Sequence, residues 1–113
     1  MPDCYITIPK PVVDERSSFT ATSYFRSGDA GSAPTTAHYR IDCLTTRTTL
    51  VDWTSLSPAE SISISVTSNT NRMISNGNRY EKKQITIASD KGETDETRDV
   101  VTWKVRNTRG FTG

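Results

Sequence analysis

The chain is poor in the residue types that most often carry chemistry: one histidine and two cysteines in 113 residues. Cys4 and Cys43 lie far apart, and no CxxC or HxxxH spacing exists, so no closed zinc ligand set is expected. With a net charge of +1 and lysines and arginines interspersed with acids, no basic field draws in nucleic acid. No apolar run approaches the ~18 residues of a membrane-spanning helix. The segment MPDCYITIPK lacks the charged-then-apolar layout of a leader, so neither leader nor membrane contact is expected. Folding in a reducing cytoplasm follows from that, with Cys4 and Cys43 expected as free thiols and a disulfide between them the alternative. Asn-x-Ser/Thr sequons are absent, and SGDAGSAP is not followed by a helix that would complete a phosphate-binding loop. No cofactor is expected.

What the chain does have is serine, threonine and alternation. Its length suits one domain with one core, although only 33% of residues are hydrophobic, so these must fall on one face of each element. SISISV sets Ile62, Ile64 and Val66 against Ser61, Ser63 and Ser65, the period of a half-buried strand. TAHYRIDC places Tyr39, Ile41 and Cys43 on one face and His38, Arg40 and Asp42 on the other. VVTWKVRN does the same with Val101, Trp103 and Val105. CYITI, SFTATSYFR, LVDW and KKQITIAS bring the strands to seven, with Phe19, Phe25, Val51, Trp53, Ile85 and Ile87 inward.

Short punctuation separates these strands: TTRTT, LSPAE with Pro58, the Asn76-Gly77 pair, and SDKGETDE around Gly92. Residues 27 to 36 read as an exposed loop. Residues 68 to 79 read as an irregular crossing in which Met73 and Ile74 form one helical turn or seal the bottom of the core. Seven short strands joined by turns predict an all-β, antiparallel β-sandwich over residues 19–113. Residues 1–18 are expected to form an N-terminal strand and an extended arm, since Pro9 and Pro11 oppose regular pairing.

His38, Asp42 and Cys43 lie close in sequence and invite an enzymatic reading. A cysteine nucleophile needs an imidazole within hydrogen-bond reach, yet positions 38 and 43 leave a strand on opposite faces. His38 and Asp42 share a face but stand about 13 Å apart along an extended chain. No catalytic residue is assigned, and no enzymatic activity is expected. Asp90, Glu93, Asp95, Glu96 and Asp99 offer hard oxygens for calcium, but without the DxDxDG spacing they read as a solvated loop. Parity places both tryptophans in the core, leaving Tyr24 and Tyr80 as the better exposed aromatics for contacting a partner or a sugar. Tyr5, Pro9 and Pro11 on the N-terminal arm complete the candidate partner-binding set.

The order of strands then resembles a known family. A Y-x-I/V-D strand (Tyr39 to Asp42), a DW strand (Asp52 and Trp53), an alternating Ser/Ile strand (Ser61 to Val66) and a closing W-x-V-x-N strand (Trp103 to Asn107) occur in that sequence. This is similar to the small immunoglobulin-like or fibronectin-III-like virion structural proteins of tailed bacteriophages, over residues 19 to 111. The resemblance implies an immunoglobulin-like sandwich without catalytic residues, assembled into a virion in the host bacterial cytoplasm. It implies docking on the major capsid protein or other virion proteins, most simply as head decoration, with the N-terminal arm as docking element. A homo-oligomer suits a symmetric shell. A neck or tail protein joining head to tail or binding host-surface glycans is the alternative, and an exported bacterial envelope domain a further one.

Overall fold

The computed structural model describes residues 2–27, 30–31, 34, 36–74, 77, 79–92 and 96–107. Among them are nine strands and no helix. They are β1 (Pro2–Thr7), β2 (Val12–Asp14), β3 (Phe19–Ser27), β4 (Ala30–Gly31), β5 (Ala37–Cys43), β6 (Thr48–Leu56), β7 (Ser61–Val66), β8 (Tyr80–Ser89) and β9 (Thr97–Arg106). In the first sheet β3 is central, with β1 on one side and β7 and the short β4 on the other. The second runs β2-β9-β8-β5-β6. The fold is an all-β sandwich of two sheets, antiparallel except for the pairing of β2 with β9.

Alternation in the sequence becomes the core directly. Ile64 and Val66 of β7 are buried and oppose Ala21 and Phe19 of β3, while their serine neighbours stay exposed. From the second sheet come Ile41, Ile85, Ile87, Trp103 and Val105, all essentially without solvent contact. Phe19 meets Trp103 edge-to-face across the sheets, ring centroids 5.2 Å apart. β5 and β8 pair without a break from Ala37↔Ser89 to Cys43↔Lys83, so strand parity holds along β5.

Parity fails in β6. Two register shifts between Tyr39 and Asp42 insert extra residues into β6, and beyond them Thr54, not Trp53, opposes Tyr39. Asp52 caps this irregularity, its Oδ1 accepting from Trp53 N at 2.8 Å and its carbonyl from Thr54 Oγ1 at 2.8 Å. Trp53 is thereby turned to the outer face, where Lys91 Nζ and Arg98 Cζ each lie 5.1 Å from its ring centroid. The inward placement expected for Trp53 is corrected by this bulge, while Val51 does pack against the core.

The N-terminal stretch forms the expected strand followed by an extended segment, and both pair within the domain. β1 pairs antiparallel with β3 along its whole length and buries Cys4 and Ile6. The chain then crosses to the other sheet through Pro9 and Pro11, and β2 pairs with β9 in the one parallel arrangement of the described strands. Prolines end regular pairing, as expected, but only for the crossing itself. Pro11 still accepts through its carbonyl from Lys104 N at 2.9 Å.

The crossing between β7 and β8 is irregular. Thr67 O accepts from Thr70 N and Asn71 N, a single tight turn, and Met73 closes the bottom of the core at 7% exposure. Arg47, in the TTRTT turn between β5 and β6, adopts a left-handed backbone with φ of 57°. Asn76, Glu93, Asp95, residues 108–111 and much of the 27–36 loop lie outside the described residues.

Candidate functional site

β8 carries two charged residues where its parity demands apolar ones. Glu81 and Lys83 continue the inward face of Ile85 and Ile87, and both side chains are fully buried. Lys83 Nζ donates to the carbonyls of Thr70 (2.8 Å) and Arg72 (2.6 Å) and sits 3.9 Å from Glu81 Oε1. The same carboxylate oxygen accepts from Ile74 N at 2.8 Å and from the Cys43 thiol at 3.9 Å. Burial pulls the Lys83 ammonium below its ordinary range, partly offset by the neighbouring Cys43 and Glu81. Beside this pair, Asn71 accepts from Trp103 Nε1 at 2.9 Å and donates to Ser17 O at 2.8 Å. Lys83 and Glu81 bond to the backbone of the 67–74 crossing and Asn71 on it bonds to Trp103, so the cluster staples that crossing to the sandwich.

The residues of the apparent His-Asp-Cys constellation separate. Cys43 lies in the core, whereas His38 faces outward with Nε2 3.3 Å from Ser55 Oγ. Asp42 is engaged by Arg40 Nε at 3.0 Å and Thr49 Oγ1 at 3.0 Å. Cys4 and Cys43 are both free thiols, on strands of different sheets. Burial, with Asp99 nearby, pushes the Cys4 thiol above its ordinary value.

Three members of the acidic set act as backbone and ion-pair acceptors. Asp90 takes Thr36 N at 3.0 Å, Asp99 takes Ile6 N at 2.9 Å and so ties β9 to β1, and Glu96 takes Gly92 N at 2.7 Å and Arg98 at 2.6 Å. Glu96 is held below the usual carboxylate range first by that Gly92 N–H and then by Arg98. Among the described residues, no group of three or more His, Cys, Asp or Glu side chains is placed to hold a metal ion.

Among the described residues, the exposed large hydrophobic ones are Tyr5, Val12, Tyr24, Leu44, Tyr80 and Val100. They divide between two faces. Tyr5 and Tyr24 are direct cross-strand partners on the outer face of the first sheet, with Arg26 Cζ 5.9 Å from the Tyr5 ring centroid. Tyr80 lies on the outer face of the second sheet with Lys104 Nζ 5.9 Å from its ring centroid. Tyr24 and Tyr80 are therefore on different sheets, and no single small ligand stacks on both.

Around Tyr80 the second sheet assembles a denser patch. Val12 opposes Lys104, Lys104 opposes Lys82, and Leu44 N donates to Lys82 O at 2.7 Å, so one row crosses β2, β9, β8 and the turn after β5. Pro11, Val12, Lys82, Thr102 and Lys104 line an open depression of about 310 Å³ beside it. Pro9 lines a separate groove of about 590 Å³ with Val13, Phe19 and Arg106. Of the candidate binding residues, the structure thus pairs Tyr5 with Tyr24, while Pro11 and Tyr80 each adjoin Lys104. Lys82, Lys104, Val12 and Leu44 are the members the sequence reading missed, because only strand register places them side by side.

No protein-family model and no curated protein matches the sequence. Among solved structures, the chain is similar to a conjugative transposon lipoprotein from Bacteroides eggerthii, with a TM-score of 0.48 and 9% identity over 90% of this chain and 95% of that one.

Proposed function

We propose that this chain is a non-enzymatic binding module, a virion structural protein of a tailed bacteriophage that docks on capsid subunits as a head decoration. The observation that carries the binding reading is the patch on the second sheet. Val12, Leu44, Tyr80 and Val100, each at least 40% exposed, share one outer face of a domain lean in apolar residues. The virion assignment rests on the order of the strand motifs, now seen as β5, β6, β7 and β9 of the sandwich. Docking falls to the sheet face, to which residues 1–18 contribute Val12 of β2, while β1 is committed to the first sheet.

Counting copies of the chain in purified particles by quantitative mass spectrometry tests this. Head decoration requires on the order of hundreds of copies, following the symmetry of a shell. About a dozen or fewer would move the protein to the neck or tail, and none would remove it from the virion. Truncating residues 2–12 is a poor test, since it removes β1 and two buried side chains along with any contact.

A second reading has its own observation. Tyr5 and Tyr24, adjacent and about half exposed among serines and threonines of the first sheet, form an aromatic platform suited to stacking on a sugar ring. Glycan-array signal that disappears in Tyr5→Ala and Tyr24→Ala would establish it, and an array without signal would remove it.

A further inference from the structure

Lys82 and Lys104 are direct cross-strand partners in β8 and β9, and like charges so placed destabilise a sheet. The other charged side chains on this outer face are mostly compensated: Arg106 by Asp14 at 2.6 Å, Arg40 by Asp42, and Arg98 by Glu96. Neither lysine forms an ion pair among the described residues. Among the described residues, Lys82 and Lys104 thus stand side by side in the sheet without a carboxylate partner, flanked by exposed Val12 on one side and exposed Leu44 on the other, with Lys104 against the Tyr80 ring.

We propose that this row binds an acidic segment of a partner protein, a carboxylate settling between the two ammoniums and neighbouring apolar side chains covering Val12 and Leu44. The inference deepens the binding reading above and rests on it. Charge selects the occupant: two uncompensated cations suit one or two carboxylates, whereas a phosphate backbone needs a longer basic track than a chain of net charge +1 supplies here. The apolar flanks select a peptide over a free anion, because a bare anion leaves them in water. Desolvating the carboxylate beside Val12 and Tyr80 also strengthens its attraction to both lysines.

The test uses the full-length protein in a ¹⁵N-resolved NMR titration. The probe is an acetylated peptide in which glutamate alternates with leucine; the controls are its lysine-for-glutamate counterpart and sodium sulfate at equal ionic strength. The expected result is amide shifts concentrated at Val12, Leu44, Lys82 and Lys104 with the glutamate peptide alone. Lys82→Gln and Lys104→Gln should each weaken binding by about tenfold. The double variant Lys82→Glu with Lys104→Glu should select the lysine peptide instead. Equal shifts from sulfate, shifts spread over lysines elsewhere, or unchanged affinity in the glutamine variants would overturn the inference. Particle attachment of the same variants separates it from the virion reading. Attachment that survives loss of the peptide site overturns the acidic-segment inference alone; peptide binding without any particle attachment by the wild type overturns the virion assignment alone.

Discussion

Glu81 and Lys83 lie four and two residues before Ile85 on β8, so strand alternation alone assigns them to the core. Charged residues are almost never fully buried unless paired, and here the pairing is with each other and with the backbone of the crossing loop. Removing one partner leaves the other charged and dry. Glu81→Ala and Lys83→Met should each cost about 3 to 5 kcal/mol in urea denaturation, and the double variant should cost less than their sum. Additive losses would show that the pair does not act as a unit. The signal was legible as parity, but the acceptors at Thr70, Arg72 and Ile74 were not, because no local pattern announces which loop will fold over a strand.

Two buried groups give stability a pH dependence of opposite sign. Cys4 is held above its ordinary value of 9.0 by burial, so the folded state keeps a proton that the unfolded chain releases. Its contribution is complete below pH 9.0 and is lost as pH rises through the folded value. Lys83 is depressed by burial from 10.5, so in the window beneath that value the unfolded chain binds the proton better and stability rises with pH. Denaturation midpoints measured across the alkaline range should show a smaller decline in Cys4→Ala and a lost rise in Lys83→Met. Parallel profiles for wild type and both variants would refute the assignment.

At the level of elements, β5 and β6 show where pattern reading stops working. Both tryptophans have the right parity for burial when each strand is treated as regular, and Trp103 is indeed at 1% exposure. Trp53 is not in the core, because two register shifts fall between it and the turn. The energetic consequence is measurable. Trp103→Ala should cost about 3 to 5 kcal/mol, as a buried aromatic lost from the core does. Trp53→Ala should cost roughly 1 to 2 kcal/mol, the sum of two partly exposed cation–π contacts. Equal losses at the two sites would mean that Trp53 bears more of the fold than its place outside allows. The alternating strands β5, β7 and β9 were legible because one face is buried and the other solvated; β2 and β4, at three and two residues, are too short for any period to show.

Across the whole molecule, function depends on which side chains share a face, and that is decided by register between strands distant in sequence. Lys82 and Lys104 are 22 positions apart in the chain yet directly opposed in the sheet. Tyr5 and Tyr24 came together on one face, but Tyr80 went to the other, a division no single-strand pattern contains. A further outcome follows for the free protein. Lys82→Gln should raise its stability by about 0.2 to 1 kcal/mol, since it relieves a like-charge pair and leaves the Lys104–Tyr80 contact in place, while weakening the attachment proposed for that face. Thermal unfolding of the two proteins at low salt decides this, and a destabilised variant would count against the uncompensated pair.

The parallel pairing of β2 with β9 also determines how the domain carries load. Tension applied between the two ends of the chain draws Val12–Asp14 one way and Lys104–Arg106 the other along the same line. Once β1 has been drawn off, the Lys104 N to Pro11 O bond, the Glu15 N to Arg106 O bond and the Asp14–Arg106 ion pair are sheared together and not unzipped in turn. A short mechanical clamp thus sits at the edge of the sandwich, and it resists further extension after the core residues Cys4 and Ile6 have been withdrawn with β1.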